Sequence, residues 1–457
     1  MIIILSLIYK TSKILKMKKI SLIVSVAMLI SFAGCKKDKT TPAQVDFNNL
    51  TYTDKTPSQS KSDLENTGVT MVNQMSALNK EKGTGAAVNL VTLVSNSNSM
   101  SAKSPHMATL KAVSDFSAGA GVKNVFSVMR QTSDDIGIIQ IYDSIAATYT
   151  YNFNTGDFDK TASSTFSIKF PASKTAENNK QLNGLFEIAR PQTQAGPFTI
   201  GGAQISELPS SIQYDIKVDG TVALNYQFTG AYNSDGMPTS ISSTLTIGTF
   251  EFKTTWGYNA QDVNMNYSIK NSANSSPTIL DMGWELKGNF DKTVIQNYTD
   301  GTTTDPTAIL TNSNAHFQFY NIKIAGQIDF KDLYNGSNSI DKETKADTIK
   351  QRELATLVNK DVALVVVYAD NNQVIAKAEA YLKPYQEEEW NFDPISGMYT
   401  AQMVTKEELD MRMIFADKSK SDLSTYFQSG FDQLTGDFNT FIDELNTTYG
   451  WTIDHVK

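Results

Sequence analysis

The feature that most constrains the fold is an alternation of apolar and polar residues that recurs from Ile136 to Phe330. It is clear in residues 212–218 and again in residues 222–228. The dipeptide Asp219-Gly220 between these runs tolerates positive φ angles, so it predicts a two-residue hairpin turn. Short alternating runs joined by Asn, Asp, Gly and Ser predict a large antiparallel β meander with one buried face, as a curved sheet or a sandwich.

Helical patterns stand on both sides of this meander. Apolar residues from Leu64 onward share one stripe, which predicts an N-terminal helix capped by Ser62 and ending near Gly83. Residues 423–449 keep an aromatic-rich stripe over many turns, which predicts a long amphipathic C-terminal helix. The predicted fold class is therefore α+β.

The second half of the chain has its own organisation. Residues 348–358 have a helical pattern, and residues 362–368 and 374–382 predict a buried hairpin across Asp370-Asn371-Asn372. We interpret residues 63–335 as a helical segment followed by the meander, and residues 336–457 as a smaller α+β region.

The N-terminal residues have the parts of an export signal. Lys18 and Lys19 form a positive region, residues 20–30 are apolar, and Ala33-Gly34 precedes Cys35, the only cysteine of the chain. This segment resembles the lipobox signal peptide of bacterial lipoproteins. The resemblance implies that residues 1–34 are removed and that Cys35 carries the acyl chain, such as palmitate. It also implies attachment to the outer membrane, and it leaves the periplasmic and the surface side equally open.

Two other interpretations of this segment are an uncleaved signal anchor and one long membrane helix over residues 1–30. The second places five lysines in the hydrocarbon, where each costs about 2.5 to 3.5 kcal/mol near a helix centre. Initiation at Met17 gives a compact signal peptide and avoids that cost.

The rest of the chain is acidic. Removal of residues 1–34 takes away five lysines and no acid, so 35 basic and 48 acidic side chains remain, a net charge of −13. A charge of this sign repels phosphate backbones, so nucleic acid is not an expected partner. Residues 35–62 are mostly polar and predict a flexible tether.

Acidic residues provide the candidate catalytic and metal sites. Glu387, Glu388, Glu389 and Asp393 surround Trp390, an arrangement that a glycosidase or a sugar-binding groove would use, although three consecutive glutamates are more often a solvated loop. A second group of oxygen ligands surrounds Thr155-Gly156 and suits calcium, although a plain hairpin turn needs the same residues. Its members are Asn152, Asn154, Asp157 and Asp159.

Two short motifs suggest a modification and an origin. Asp143-Ser144-Ile145 and Asp347-Thr348-Ile349 are similar to the sequence on which exported Bacteroidetes proteins are O-glycosylated, at Ser144 and Thr348 here. With the lipobox, they make the chain resemble envelope lipoproteins of that group.

No catalytic motif stands out, so the leading hypothesis is a lipid-anchored cell-envelope protein with a structural or binding role and no cofactor. Its expected partners are the membrane, through the anchor, and a glycan or a hydrophobic small molecule. One alternative is a glycan-active hydrolase that uses the carboxylates near Trp390. Another is a carrier whose hydrophobic ligand lies between the C-terminal helix and inward-facing aromatic residues of the sheet, namely Tyr226, Phe228, Phe250, Phe252, Trp256 and Tyr258.

Overall fold

The computed structural model describes residues 47, 49–97, 138–200, 203–275, 278–393, 398–422, 425–426, 430–449 and 452–455. The helices in these ranges are α1 Pro57–Asn79, α2 Lys82–Asn96, α3 Ile138–Ile145, α4 Lys174–Asn178, α5 Lys292–Thr299, α6 Phe330–Asp341, α7 Asp347–Asp361 and α8 Asp432–Tyr449. The predictions for residues 1–46, including Cys35, lie outside the described residues.

The strands form a large, mostly antiparallel sheet, and the α+β fold class is confirmed. The first strands are β1 Ala147–Asn152, β2 Asp157–Ala162, β3 Phe166–Phe170, β4 Gly184–Ile188, β5 Gln192–Ile200, β6 Ala203–Val218, β7 Thr221–Tyr232, β8 Pro238–Ile247 and β9 Phe250–Tyr258. The later strands are β10 Asp262–Asn271, β11 Thr278–Gly288, β12 Leu310–Phe319, β13 Ile322–Asp329, β14 Val362–Tyr368, β15 Val374–Asp393, β16 Met398–Phe415 and β17 Lys420–Asp422.

The chain divides into two compact units that are discontinuous in sequence, whereas the sequence predicts consecutive regions. The first unit contains the described residues up to Val69 and those within 259–264 and 281–437. The second unit contains the described residues within 70–258 and 265–280 and those from Phe438 onward.

In the second unit, a meander packs against α2 and α3. Strands β6, β7, β8 and β9 pair in sequence as antiparallel neighbours, and the turn between β6 and β7 is the predicted Asp219-Gly220, with φ of 52° and 80°. Strands β1 and β3 depart from the predicted antiparallel pattern, because they pair in parallel. The core contains Phe166, Ile168 and Phe170 of β3, which are at most 1% exposed.

The first unit is built on β12 to β17, which pair consecutively as antiparallel neighbours. The predicted hairpin is confirmed, because β14 pairs with β15. Leu64 of α1 packs on one apolar cluster of these strands, and Leu354 and Val358 of α7 belong to another.

The N-terminal helix begins earlier than predicted, so the assignment of Ser62 as its N-cap is wrong. Thr56 accepts a hydrogen bond from the main-chain N–H of Gln59, and the Gln59 side chain accepts one from the N–H of Thr56. This reciprocal capping box, followed by Pro57 at the first helical position, places the helix start inside the range 35–62 predicted to be a tether.

The C-terminal helix is shorter than predicted. Helix α8 begins at Asp432, and Gly430 has a φ of 83°, which is incompatible with a continuous right-handed helix from residue 423.

Candidate functional site

The clearest candidate site is a two-stranded ribbon formed by β15 and β16, whose register runs unbroken from Ala376↔Phe415 to Asp393↔Met398. Strand β14 pairs with β15 only up to Lys377, and β17 pairs with β16 only from Arg412. In the described part of the chain, residues 383–393 and 398–408 therefore have no third strand beside them. We call these two segments the outer ribbon.

One face of the ribbon is buried where the ribbon begins. Ala380 and Leu409 are 3% and 6% exposed, and they pack with Leu354 and Val358 of α7. Successive side chains of a strand point to opposite faces, so residues 380, 382 and onward to 390 lie on this same face. Beyond Leu382 and Leu409 this face becomes polar, because Gln386 donates a hydrogen bond to Thr405 and Glu407 pairs with Arg352 of α7.

Beyond α7 the same face carries large apolar side chains in solvent. Trp390, Tyr399 and Met403 are 61%, 66% and 62% exposed. Trp390 is directly opposite Ala401, and Tyr399 and Met403 are the residues two positions before and after Ala401. The three side chains are thus diagonal neighbours on one surface, which we call the exposed patch.

The opposite face, which we call the charged face, carries acidic and basic side chains that form salt bridges with one another. Nearest the body of the unit, Glu379 accepts from Arg412 at 2.6 Å and from Lys420 at 3.0 Å. Burial raises the pKa of Glu379, but these two cations outweigh it and leave the pKa below its usual value. The Arg412 guanidinium also lies 4.3 Å from the centre of the Tyr381 ring.

Further along this face, Asp422 of β17 accepts hydrogen bonds from the side chains of Lys383 and Tyr381, both at 2.7 Å. These bonds lower the pKa of Asp422, with the bond from Lys383 as the larger cause. Burial and the Asp422 carboxylate raise the pKa of Tyr381 to about 12.

At the outer end, Lys406 contacts Glu387 and Glu389, each at 2.7 Å. Both hydrogen bonds raise the pKa of Lys406 above its usual value, Glu387 contributing the larger share. The ion pairs of the charged face therefore join β15 and β16 along the outer ribbon.

The register separates the acids that the sequence groups around Trp390. Glu387 and Glu389 lie on the charged face with Lys406, whereas Glu388 lies on the face of Trp390, opposite Met403. Asp393 ends β15. A glycosidase needs two carboxyl groups directed at one substrate in a cleft, and this ribbon does not provide that arrangement. Tyr399 and Met403 were missed by the sequence analysis. Their spacing of four predicts one face of a strand, but only the β15–β16 register places that face beside Trp390.

The candidate calcium residues form the hairpin turn between β1 and β2, with Asn152 directly opposite Asp157. Asn152 donates to Asp159 at 2.9 Å and accepts from the main-chain N–H of Asn154 at 2.9 Å. Ser97 donates to Asp157. The side chains of Asn152, Asp157 and Asp159 thus each accept a hydrogen bond from another group of the protein, and no cluster suited to a metal ion occurs among the residues that the structure describes.

The two candidate glycosylation residues lie on helices. Ser144 is exposed near the end of α3, and Thr348 is exposed in the first turn of α7.

The aromatic residues assigned to a ligand cavity pack into the second unit. Tyr226 and Phe228 are 6% and 3% exposed, and the Tyr226 ring stacks on Tyr214 with 4.7 Å between centroids. Phe252 and Trp256 are partly buried against the same cluster.

A buried polar cluster that the sequence did not indicate lies on β11, β12 and β13. The imidazole Nε2 of His316 is 3.2 Å from the Asp281 carboxylate, and Lys323 is 3% exposed. Burial lowers the pKa of Lys323, and the charge of Asp281 opposes that effect. We interpret this cluster as structural. Lys323 is directly opposite the fully buried Val367, so its charge lies within the sheet.

Comparison with known proteins gives no relative: no family model, curated protein or solved structure matches the chain. None of the helices in the described ranges is long and apolar enough to cross a membrane.

Proposed function

We propose that this chain is a lipid-anchored protein of the bacterial cell envelope with a binding role, and that the outer ribbon is its recognition element. The exposed patch is the observation that carries the binding role. Trp, Tyr and Met are enriched in the energetically important parts of interfaces, and a monomer seldom leaves such side chains together in solvent without a use.

The ribbon also has the rigidity that recognition requires. Its buried beginning under α7, the Lys383–Asp410 pair and the Lys406–Glu387 pair hold the two strands in one register. Binding then orders few side chains, which reduces the entropic cost of association. The lipobox-like segment ending at Cys35 supports the anchoring part of the proposal.

The anchor is tested by labelling cells with radioactive palmitate. The full chain should incorporate label, and Cys35→Ala should not. Equal labelling of the two chains contradicts the anchor without affecting the binding role.

The binding role is tested with the acyl-free Cys35→Ser chain, which is sedimented with isolated outer membranes of a Bacteroidetes bacterium. We expect Trp390→Ala to weaken co-sedimentation about tenfold or more, as truncation of an interface aromatic does. The matched control is Tyr385→Ala, because Tyr385 is also exposed but lies on the charged face. An equal effect of the two substitutions contradicts the assignment.

A further inference from the structure

The shape of the exposed patch limits what it can bind. Ala401 lies between Tyr399 and Met403 and directly opposite Trp390, so nothing larger than a methyl group faces the indole ring across the strands. Tyr399 and Met403 are four residues apart on one strand, which places them about 13 Å from each other. The patch is therefore a flat, elongated platform on the side of a ribbon, not a cleft.

The charge around the platform excludes several partners. The outer ribbon contains six acidic side chains and two lysines, and Lys406 is already paired with two of the acids. Glu388 lies on the platform itself, opposite Met403. An anionic lipid surface and nucleic acid are repelled by this charge, and so is the outer ribbon of a second copy.

Addition of a partner strand is also disfavoured at the β15 edge. Ala380 directs its N–H and C=O away from β16, since both groups bond to the Asn359 side chain. Every second residue shares this direction, so Pro384 has its nitrogen at the same edge and offers no N–H to an added strand. Main-chain pairing is thus interrupted near the start of the outer ribbon.

A neutral sugar chain matches the features that remain. Pyranose rings have apolar C–H faces that stack on exposed aromatic rings, and their hydroxyl groups donate hydrogen bonds to carboxylates. Diagonal neighbours across two strands are about 7 Å apart, comparable to the length of one sugar unit. A neutral polymer also meets no electrostatic penalty at an acidic surface.

We infer that the platform binds a neutral polysaccharide, with successive sugar rings on Trp390 and Tyr399 and with Glu388 accepting hydrogen bonds from ring hydroxyls. This inference rests on the proposed binding role and names its ligand class. It assigns binding and no hydrolysis. The other carboxylate on this face, Glu407, lies four residues along β16 from the position opposite Glu388, about 13 Å away, and it is paired with Arg352, so it is too far from Glu388 for the two to act on one glycosidic bond.

The test is affinity electrophoresis of the Cys35→Ser chain through gels that contain soluble starch, xylan, galactomannan or the anionic polymer polygalacturonate. At least one neutral polymer should retard the chain, and polygalacturonate should not. We expect Trp390→Ala and Tyr399→Ala each to raise the dissociation constant about tenfold or more. Retention of the wild-type melting temperature will show that these exposed substitutions leave the fold intact.

Two matched controls make the assignment specific to one face. Tyr385→Ala removes an exposed aromatic ring from the charged face and should leave retardation unchanged. Glu388→Gln should weaken binding more than Glu387→Gln, one residue away on the charged face, because only Glu388 lies beside the platform rings. Absence of retardation in every neutral polymer, or equal effects of the substitutions on the two faces, overturns the inference.

The same set of variants separates this inference from the proposed function. If outer membranes bind the chain through Trp390 while no neutral polymer does, the binding role stands and the polysaccharide is wrong. Loss of that binding after proteinase treatment of the membranes then identifies a protein partner. Binding to protein-free vesicles that contain phosphatidylglycerol identifies a lipid surface and equally overturns the polysaccharide.

Discussion

Asn359 pairs with both main-chain groups of Ala380: its Nδ2 donates to the Ala380 carbonyl at 2.8 Å, and its Oδ1 accepts from the Ala380 N–H at 2.7 Å. A side-chain amide here takes the place of a neighbouring strand. Because β14 pairs with β15 only up to Lys377, this contact closes the sheet edge where the ribbon leaves it.

Substitution Asn359→Ala should therefore loosen the start of the ribbon. It leaves two main-chain groups of a buried residue without this partner, and we expect a loss of about 1 to 3 kcal/mol in the free energy of unfolding. Urea denaturation will measure the loss. Thr356→Ala, an exposed change on the same helix, is the control and should stay within about 0.5 kcal/mol of wild type. Equal stability of all three proteins would contradict the bridging role.

Lys406→Met should open the outer ribbon without unfolding the protein. Lys406 lies between Glu387 and Glu389, and its removal leaves two carboxylates facing each other on one side of a two-stranded ribbon. We expect faster amide hydrogen exchange in residues 385–391 and an unchanged global unfolding midpoint, since surface ion pairs contribute little to overall stability. Lys406→Arg should preserve protection, and salt should reduce the difference. Identical exchange in Lys406→Met and wild type would show that these pairs do not hold the ribbon.

The parts of the fold that the sequence predicted are those set by local rules. Strand alternation and Asp219-Gly220 depend on neighbouring residues alone, and both are confirmed. The start of α1 was also encoded locally, in the Thr56 and Gln59 capping box, but the polar composition of residues 35–62 favoured a tether.

The candidate site was harder to predict because it depends on strand register. Glu389 and Trp390 are adjacent in sequence, yet they point to opposite faces of β15. The exposed patch forms only when β16 brings Tyr399 and Met403 beside Trp390. Sequence proximity therefore suggested an acid pair beside an aromatic residue, whereas the strand period of two separates them.

Asp281 and Lys323 should behave as a coupled buried pair. Asp281→Asn leaves the buried Lys323 charge without its main neutralising partner, and we expect a loss of about 3 to 5 kcal/mol in the free energy of unfolding. The double variant Asp281→Asn/Lys323→Met should be more stable than Asp281→Asn alone, because no buried charge is stranded. Additive effects of the two substitutions would rule out coupling.

The pH dependence of Asp281→Asn gives a second check. Burial holds the pKa of Lys323 below that of the unfolded chain, so the unfolded state binds more protons between the two values and stability rises with pH there. Without Asp281 the folded pKa should fall further. The alkaline gain in stability should therefore begin at a lower pH in Asp281→Asn than in wild type.

Tyr232 should make the protein less stable as pH rises into the alkaline range, the reverse of the effect of Lys323. Burial raises its pKa from 10.0 to about 12, and its hydroxyl donates to the Pro209 carbonyl at 3.0 Å. The stability that this group provides is complete below pH 10 and is lost as pH rises toward 12, because the unfolded chain ionises first. Tyr232→Phe should be less stable than wild type at pH 7 by about 1 kcal/mol. The difference should shrink across the alkaline range in urea titrations, and a constant difference would contradict the burial of this hydroxyl.

Replacing each of two glycines at the start of α2 by alanine should change the stability of the protein in opposite directions. A Cβ on Gly83 would lie 2.2 Å from the Ala223 carbonyl oxygen of β7, whereas a Cβ on Gly85 has no atom within 4 Å. Gly83→Ala must push the helix from the sheet, and such overpacking costs about 1 to 3 kcal/mol. Gly85→Ala meets open space and should stabilise the helix by up to about 1 kcal/mol. Both variants carry the same Gly→Ala change in the same helical turn, so their thermal unfolding can be compared directly. A Gly83→Ala protein as stable as Gly85→Ala would mean that α2 does not approach β7 this closely.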